Sequence, residues 1–273
     1  MCFKRGRRVM RLVCVVALWS CLGLASACSR SPEATILIAA PAHTVASRTA
    51  RLSLSISIPG QLTAKSHGTV DFSAHRLSMV TKYSALRSDV NPSETTVEIR
   101  IIGLDLYARS AESRAPQGLW SHHTTGTTPG GTGFFLPGVG GVASNDPTAM
   151  LGVLRGVSGS IRTVDKPELN GVPTTHYRAT VDLKKAEAKA PAGAQARFDE
   201  MAAAWGVSQI PVDVWIDDAQ RLRRLSFSLE LSRFRSASGR SLGCSGTGSI
   251  EFELNDFGTP VTIEAPPPNQ VSK

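Results

Sequence analysis

Polar and apolar side chains alternate with a period of two along much of this chain. Over 51–58, Leu52, Leu54, Ile56 and Ile58 alternate with Arg51, Ser53, Ser55 and Ser57. The same alternation puts Val70, Phe72 and Ala74 on one face of 69–74, and Val97, Ile99 and Ile101 on one face of 96–101. It groups Leu225, Phe227, Leu229 and Leu231 in 224–231, and Ile250, Phe252 and Leu254 in 250–254. Successive strand side chains point to opposite faces, so each segment predicts a strand with one apolar and one wetted face. Such strands build antiparallel sheet, because strands of a doubly wound parallel sheet are apolar on both faces. Further strands are predicted near 76–83, 104–109, 158–164, 173–183 and 211–216. Pro59-Gly60 and Asp217–Gln220 supply turns between strands.

Two segments carry helical spacing instead. Asp146 and Pro147 offer a cap and a first-turn proline; Met150, Leu151 and Leu154 form an apolar stripe, and Gly156 a stop. Over about 194–205, Phe198, Met201, Ala202 and Trp205 fall at i, i+3, i+4 and i+7, and Gly206 follows. The expected class is therefore α+β: a strongly curved antiparallel sheet wrapped around two or more short helices. Both stripes pack on the sheet's apolar face. Space left between helices and sheet would be lined by Leu151, Leu154, Met201, Trp205, Leu225, Phe227 and Leu229.

The N-terminus reads as an address. Residues 2–11 are basic, and 12–25 form an apolar run of 14 residues. That is short for a membrane span and fits the core of a signal peptide. Ala25-Ser26-Ala27-Cys28 then resembles the lipobox of bacterial lipoproteins, in which the cysteine is lipidated and becomes the mature N-terminus. Cleavage after Ala27 by an ordinary signal peptidase is the alternative. The expected organisation is a signal peptide over 1–27, lipidated Cys28 with a flexible tether to 48 whose apolar Ile36–Ile38 leaves open a short element packed on the domain, one domain over 49–268, and a tail over 269–273. The start, Met1 or Met10, stays open.

Composition sharpens this picture. The chain has 273 residues, 41% hydrophobic, with formal charge +8. Lys4, Arg5, Arg7, Arg8 and Arg11 precede the apolar run, and without them 25 basic side chains face 22 acidic ones. No nucleic-acid footprint remains. Of the five cysteines, Cys2, Cys14 and Cys21 leave with the signal peptide. A lipidated Cys28 leaves Cys244 without a partner, so the domain relies on its core rather than on disulfides. Cys244 reads as a small structural thiol.

Residues 126–142 form a low-complexity insertion with seven glycines and no charge. Its Phe134, Phe135 and Leu136 are candidates for the tip of a flap over an apolar pocket, against the plainer reading of a surface loop. Arg221, Arg223, Arg233 and Arg235 share strand parity with Leu225, Phe227, Leu229 and Leu231. Either the strand leaves the core or bulges there, or Arg223, Arg233 and Arg235 stand at a pocket rim facing an anionic headgroup. No catalytic residue, metal site or cofactor is expected. The chain lacks G-x-S-x-G, H-E-x-x-H and C-x-x-C, and the adjacent His122 and His123 point to opposite faces. His176 is expected on the solvent face, and Asp217-Asp218 in a turn.

Five passages occur in order behind the lipobox: Leu106-Tyr107 with Leu119-Trp120; Asp146-Pro147 with Met150-Leu151; Leu169–Tyr177; Pro211–Asp217; and Asp256–Gly258 with Pro260, Val261 and Pro266. Together they resemble actinobacterial lipoproteins of the LppX/LprG type, over roughly 95–267. The resemblance implies a LolA/LolB-like half-barrel that holds acylated lipids or glycolipids between sheet and helices. It implies no catalytic motif. The expected function is that of an exported lipoprotein, anchored in the cell membrane on its extracytoplasmic face, that carries or presents an acylated lipid or glycolipid. An envelope transporter or acceptor protein is a candidate partner. The alternative is a non-enzymatic envelope interaction or sensor module with a filled core.

Overall fold

The computed structural model describes residues 31–60, 62–87, 90–110, 118–124, 149–191, 195–235, 240–241 and 245–272. Helix α1 (Pro32–Ala46) is followed by strands β1 (Thr49–Ile58), β2 (Leu62–Asp71), β3 (Arg76–Arg87), β4 (Val90–Ile102), β5 (Asp105–Ser110) and β6 (Ser121–Thr124). Helix α2 (Ala149–Gly152) runs into a 3-10 turn, Val153–Gly156, and then β7 (Val157–Asp165), β8 (Glu168–Leu169) and β9 (Val172–Asp182). Helices α3 (Leu183–Ala188) and α4 (Ala196–Trp205) precede β10 (Gln209–Asp217), β11 (Leu222–Glu230) and β12 (Thr247–Asn255).

The strands form one open sheet in the order β6-β5-β4-β3-β2-β1-β12-β11-β10-β9-β7, with β8 paired to β9. The pairings are antiparallel, as the one-faced alternation demands. Register follows the same alternation: Leu54 stands opposite Phe252 on one side and Ser66 on the other. A slip of one residue would carry the apolar set of β1 into water. The helices pack chiefly against β7, β9, β10 and β11.

The expected tether is a helix. Pro32 at its start and Glu33 in its first turn suit a helix N-terminus, and Leu37, Ala40, Pro41 and Thr44 form its buried face. That face docks on the sheet side of the core, which is why residues 32–46 do not behave as a spacer. Thr44 fixes the far end: its hydroxyl donates to the Ala40 carbonyl at 2.7 Å and accepts the Leu222 N–H at 2.9 Å. Thr44 is fully buried. Thr44→Val would leave the Leu222 N–H unpaired away from water, and should lower stability by about 1–3 kcal/mol in denaturant titration. An unchanged midpoint would show that α1 is not held through this bond.

The first predicted helix is shorter than its apolar stripe suggested, since α2 gives way to the 3-10 turn at Val153. Asp146 and Pro147 lie outside the described residues. The second matches: α4 ends at Trp205, and Gly206 takes a left-handed φ of 63°. A side chain there would collide with the Arg233 backbone, so the stop serves packing as well as termination. Helix α3 escaped the pattern because it is only six residues long, capped by the Asp182 carboxylate on the Lys185 N–H at 3.2 Å.

The tail is also fixed. Trp120 donates its N–H to the Gln270 carbonyl at 2.8 Å, and Ser272 returns an N–H to the Trp120 carbonyl at 2.8 Å. Pro32–Lys273 forms one compact unit, so the body begins before residue 49 and includes the predicted tail. Met1–Ser31 is a separate unit, of which only Ser31 is described.

Candidate functional site

Pairing registers define transverse rows of side chains on the inner face. One row runs from Tyr177 through Val214 and Leu225 to Phe252 and Leu54. It continues through Ser66 and Thr81 to Val97 and Ser110. The row therefore changes character at β2: large apolar side chains on the helix-covered half give way to the hydroxyls of Ser66 and Thr81, then Val97 and Ser110. The neighbouring positions on β2 repeat this, with Ala64 beside Ile56 and Gly68 beside Leu52. At Gly68 a Cβ would strike the backbone of Ser78 and Met79, so close approach of β3 excludes any side chain.

The seven predicted cavity residues all lie on the helix-covered half. Leu154, Leu225 and Phe227 are 0% exposed, Leu151 1%, Met201 2%, and Trp205 and Leu229 4%. Trp205 meets Phe227 edge-on, ring centroids 6.0 Å apart. Trp205 on α4 and Phe227 on β11 thus meet in direct helix-on-sheet contact, and all seven residues belong to one buried core. The more accessible part of the inner face was not foreseen. Val97, Ile99, Leu106 and Ala108 on β4 and β5 are only half-buried. Their alternation was legible over 96–101, but which strands the helices would cover was not.

Within this face, the Ser66 and Thr81 hydroxyls lie 2.8 Å apart in a mutual hydrogen bond. Ser66 is buried and Thr81 half-buried. Leu54 and Ala64, both buried, flank Ser66 by register and sequence.

The arginines do not form one rim. Pairing between β10 and β11 shifts at Trp215/Ile216, so that Trp215 faces Arg224 and Ile216 faces Leu222. Arg223 is the extra residue of this bulge, and the strand parity that grouped it with Leu225 fails there. Its guanidinium turns to Asp217 at 2.8 Å, joined by Arg221 at 2.9 Å. Both guanidiniums lie over the Phe257 ring, 4.7 Å from its centroid. Burial pushes the Asp217 carboxyl up, but the Arg221 N–H and the two guanidiniums outweigh it and hold the group below the usual carboxylate range. Arg233 and Arg235 lie beyond the opposite end of β11. Arg233 is exposed, and Arg235 donates to the Ser232 and Phe234 carbonyls, each at 3.0 Å.

His176 is not a solvent-face histidine. It points to the outer face, as its parity required, but is only 7% exposed. Its Nδ1 lies 2.9 Å from Asp165 and its Nε2 2.7 Å from Asp213, and its ring stacks on Trp215 at 4.1 Å. His122 bonds Asp105 at 2.8 Å and stacks on Tyr107, while His123 pairs with Leu106 across the β5–β6 ladder. Cys28, Cys244 and the flap candidates Phe134, Phe135 and Leu136 lie outside the described residues.

No family model matches the chain. It is 32% identical over 114 residues to an uncharacterised 31.2 kDa protein in the rplA-rplJ intergenic region of Streptomyces griseus. That match covers 40% of this chain and spans a third (33%) of the relative's length. Among solved structures the chain is similar to LprF from Mycobacterium bovis, with 16% identity and a TM-score of 0.47 over 86% of this chain and 98% of that one. It is also similar to the lipoprotein LppX of Mycobacterium tuberculosis, with 15% identity and a TM-score of 0.42 over 84% and 99% of the two chains.

Proposed function

We propose that this protein is an exported, lipid-anchored envelope protein that binds an acylated lipid or glycolipid on the inner face of its sheet. The observation that carries this reading is the half-buried apolar face formed by Val97, Ile99, Leu106 and Ala108, beside a strand, β2, whose inner positions Ala64, Ser66 and Gly68 are small. Leu77, Met79 and Ile101 next to it are at most 2% exposed although the described helices pack chiefly on the other half. A sheet bent around its core, as in a LolA-like half-barrel, buries them in this way. The reading is of binding, with no catalytic residue. His176, the most enclosed of the described histidines, has both ring nitrogens engaged by carboxylates and its face covered by Trp215.

Anchoring rests on the apolar run and Cys28. Only Ser29, Arg30 and Ser31 separate Cys28 from the first residue of α1, a reach of about 14 Å at full extension. A lipidated Cys28 would thus hold the body at the membrane surface. Cys28→Ala should move the protein from the detergent phase to the aqueous phase on partition, because two or more acyl chains are needed for firm anchoring. Wild-type protein already in the aqueous phase would refute the lipobox reading.

The binding reading is tested by extracting purified protein with organic solvent and identifying lipids by mass spectrometry. Stoichiometric acylated lipid is the expected result. An empty extract, together with a rigid inner face, would favour the interaction module. The packed contact of Trp205 on Phe227 is the observation on that module's side.

A further inference from the structure

We propose that the Ser66–Thr81 hydroxyl pair is a polar subsite that donates a hydrogen bond to an ester carbonyl of a bound lipid. The inference rests on the lipid-binding reading and adds which chemical group of the lipid is recognised. Two hydroxyls carry two donor hydrogens. Their mutual bond of 2.8 Å uses one, whichever oxygen donates. The second hydrogen has no protein acceptor among the described residues.

The position of the pair gives that hydrogen its meaning. In the transverse row it stands between Leu54 on β1 and Val97 on β4, on the face that carries the sheet's apolar side chains. Ser66 is 5% exposed and Thr81 half-buried, so the pair reaches the surface only through Thr81. Valine or alanine would suit the alternation of β2 and β3 equally well. A hydroxyl held in apolar surroundings must find an acceptor or lose free energy. A hydrocarbon chain offers none. A free fatty acid carries its acceptors at one end as a charged carboxylate, which apolar surroundings penalise. An acyl ester places a neutral carbonyl acceptor partway along an apolar molecule, matching one donor within an apolar floor. Val97, which faces Thr81 across the β3–β4 pairing, is half-buried.

The test compares a diacylglycerol with the dialkyl-ether lipid of the same chain length, which lacks the carbonyls. Purified protein, delipidated and reloaded, should take the ester in preference to the ether by about tenfold, equivalent to ~1.4 kcal/mol. The double variant Ser66→Ala/Thr81→Val should lose the preference while still binding both lipids, and Thr81→Ser should retain it. With a 13C-carbonyl label, the ester stretch should fall in frequency in the wild type and return in the double variant. Equal wild-type binding of ester and ether would overturn the subsite and leave the lipid reading intact. Failure to bind either would overturn both. Should the double variant unfold, the single variant Ser66→Ala with the same infrared reading decides the matter.

Discussion

Asp217→Asn is expected to lower stability by about 3–5 kcal/mol, the range found when one partner of a buried ion pair is removed. Asp217 and Arg223 have side chains only 2% and 8% exposed. Arg223 cannot shed its charge, and without the carboxylate it would be left buried against the Phe257 ring alone. For a domain of this size the loss corresponds to a fall in Tm of roughly 6–20 °C. Asp217→Asn combined with Arg223→Met should recover much of it, since the cost lies in the orphaned cation rather than in the absent pair. The same carboxylate sets an acid limit. Its folded pKa lies below the ordinary value of 3.8. Its contribution is therefore complete above the unfolded pKa and is lost as pH falls through the lower folded value. Acid titration of Asp217→Asn should lack that component. A variant as stable as the parent would mean that the Arg223 guanidinium reaches water.

The second large effect separates packed core from binding surface. Leu154→Trp, under the helices, should cost about 1–3 kcal/mol by overpacking, with any bound lipid retained in the folded fraction. Ala108→Trp, on the half-buried inner face of β5, should stay within about 0.5 kcal/mol of the parent, as surface substitutions do, yet abolish lipid occupancy. A cavity between the helix stripes and β11 would give the reverse pattern, because empty volume accepts the added ring. Thermal melts beside lipid extraction read both quantities from one preparation. Loss of lipid in Leu154→Trp with an unchanged Tm would return the site to the helix-covered half.

The sequence alone determined the architecture of the sheet. Alternation in 51–58, 224–231 and 250–254 made these segments one-faced antiparallel strands, and β1, β11 and β12 lie side by side with their apolar faces together. It also set α4 through the spacing of Phe198, Met201 and Trp205, with its stop at Gly206. These are local signals, repeated every two or four residues, and no distant partner is needed to read them. Helix α1 needed its partners. Its 15 residues hold five alanines but also an interior proline, Pro41, and it is held by burying Leu37 and by the Thr44–Leu222 bond across 178 residues. The arginine parity failed at one bulged residue, because a single extra residue inverts every later face and leaves no mark on the pattern. His176 was legible as an outer-face residue, yet its cover comes from Asp165, Asp213 and Trp215, supplied by β7 and β10. The candidate site is of the same kind. Ser66 lay outside the strands that alternation marked, and only the pairing of β2 with β3 placed it against Thr81, while the contacts of the described helices with β7 and β9–β11 set which half of the sheet they cover. Side-chain periodicity is written along the chain; which faces meet is decided by contacts between residues far apart in it.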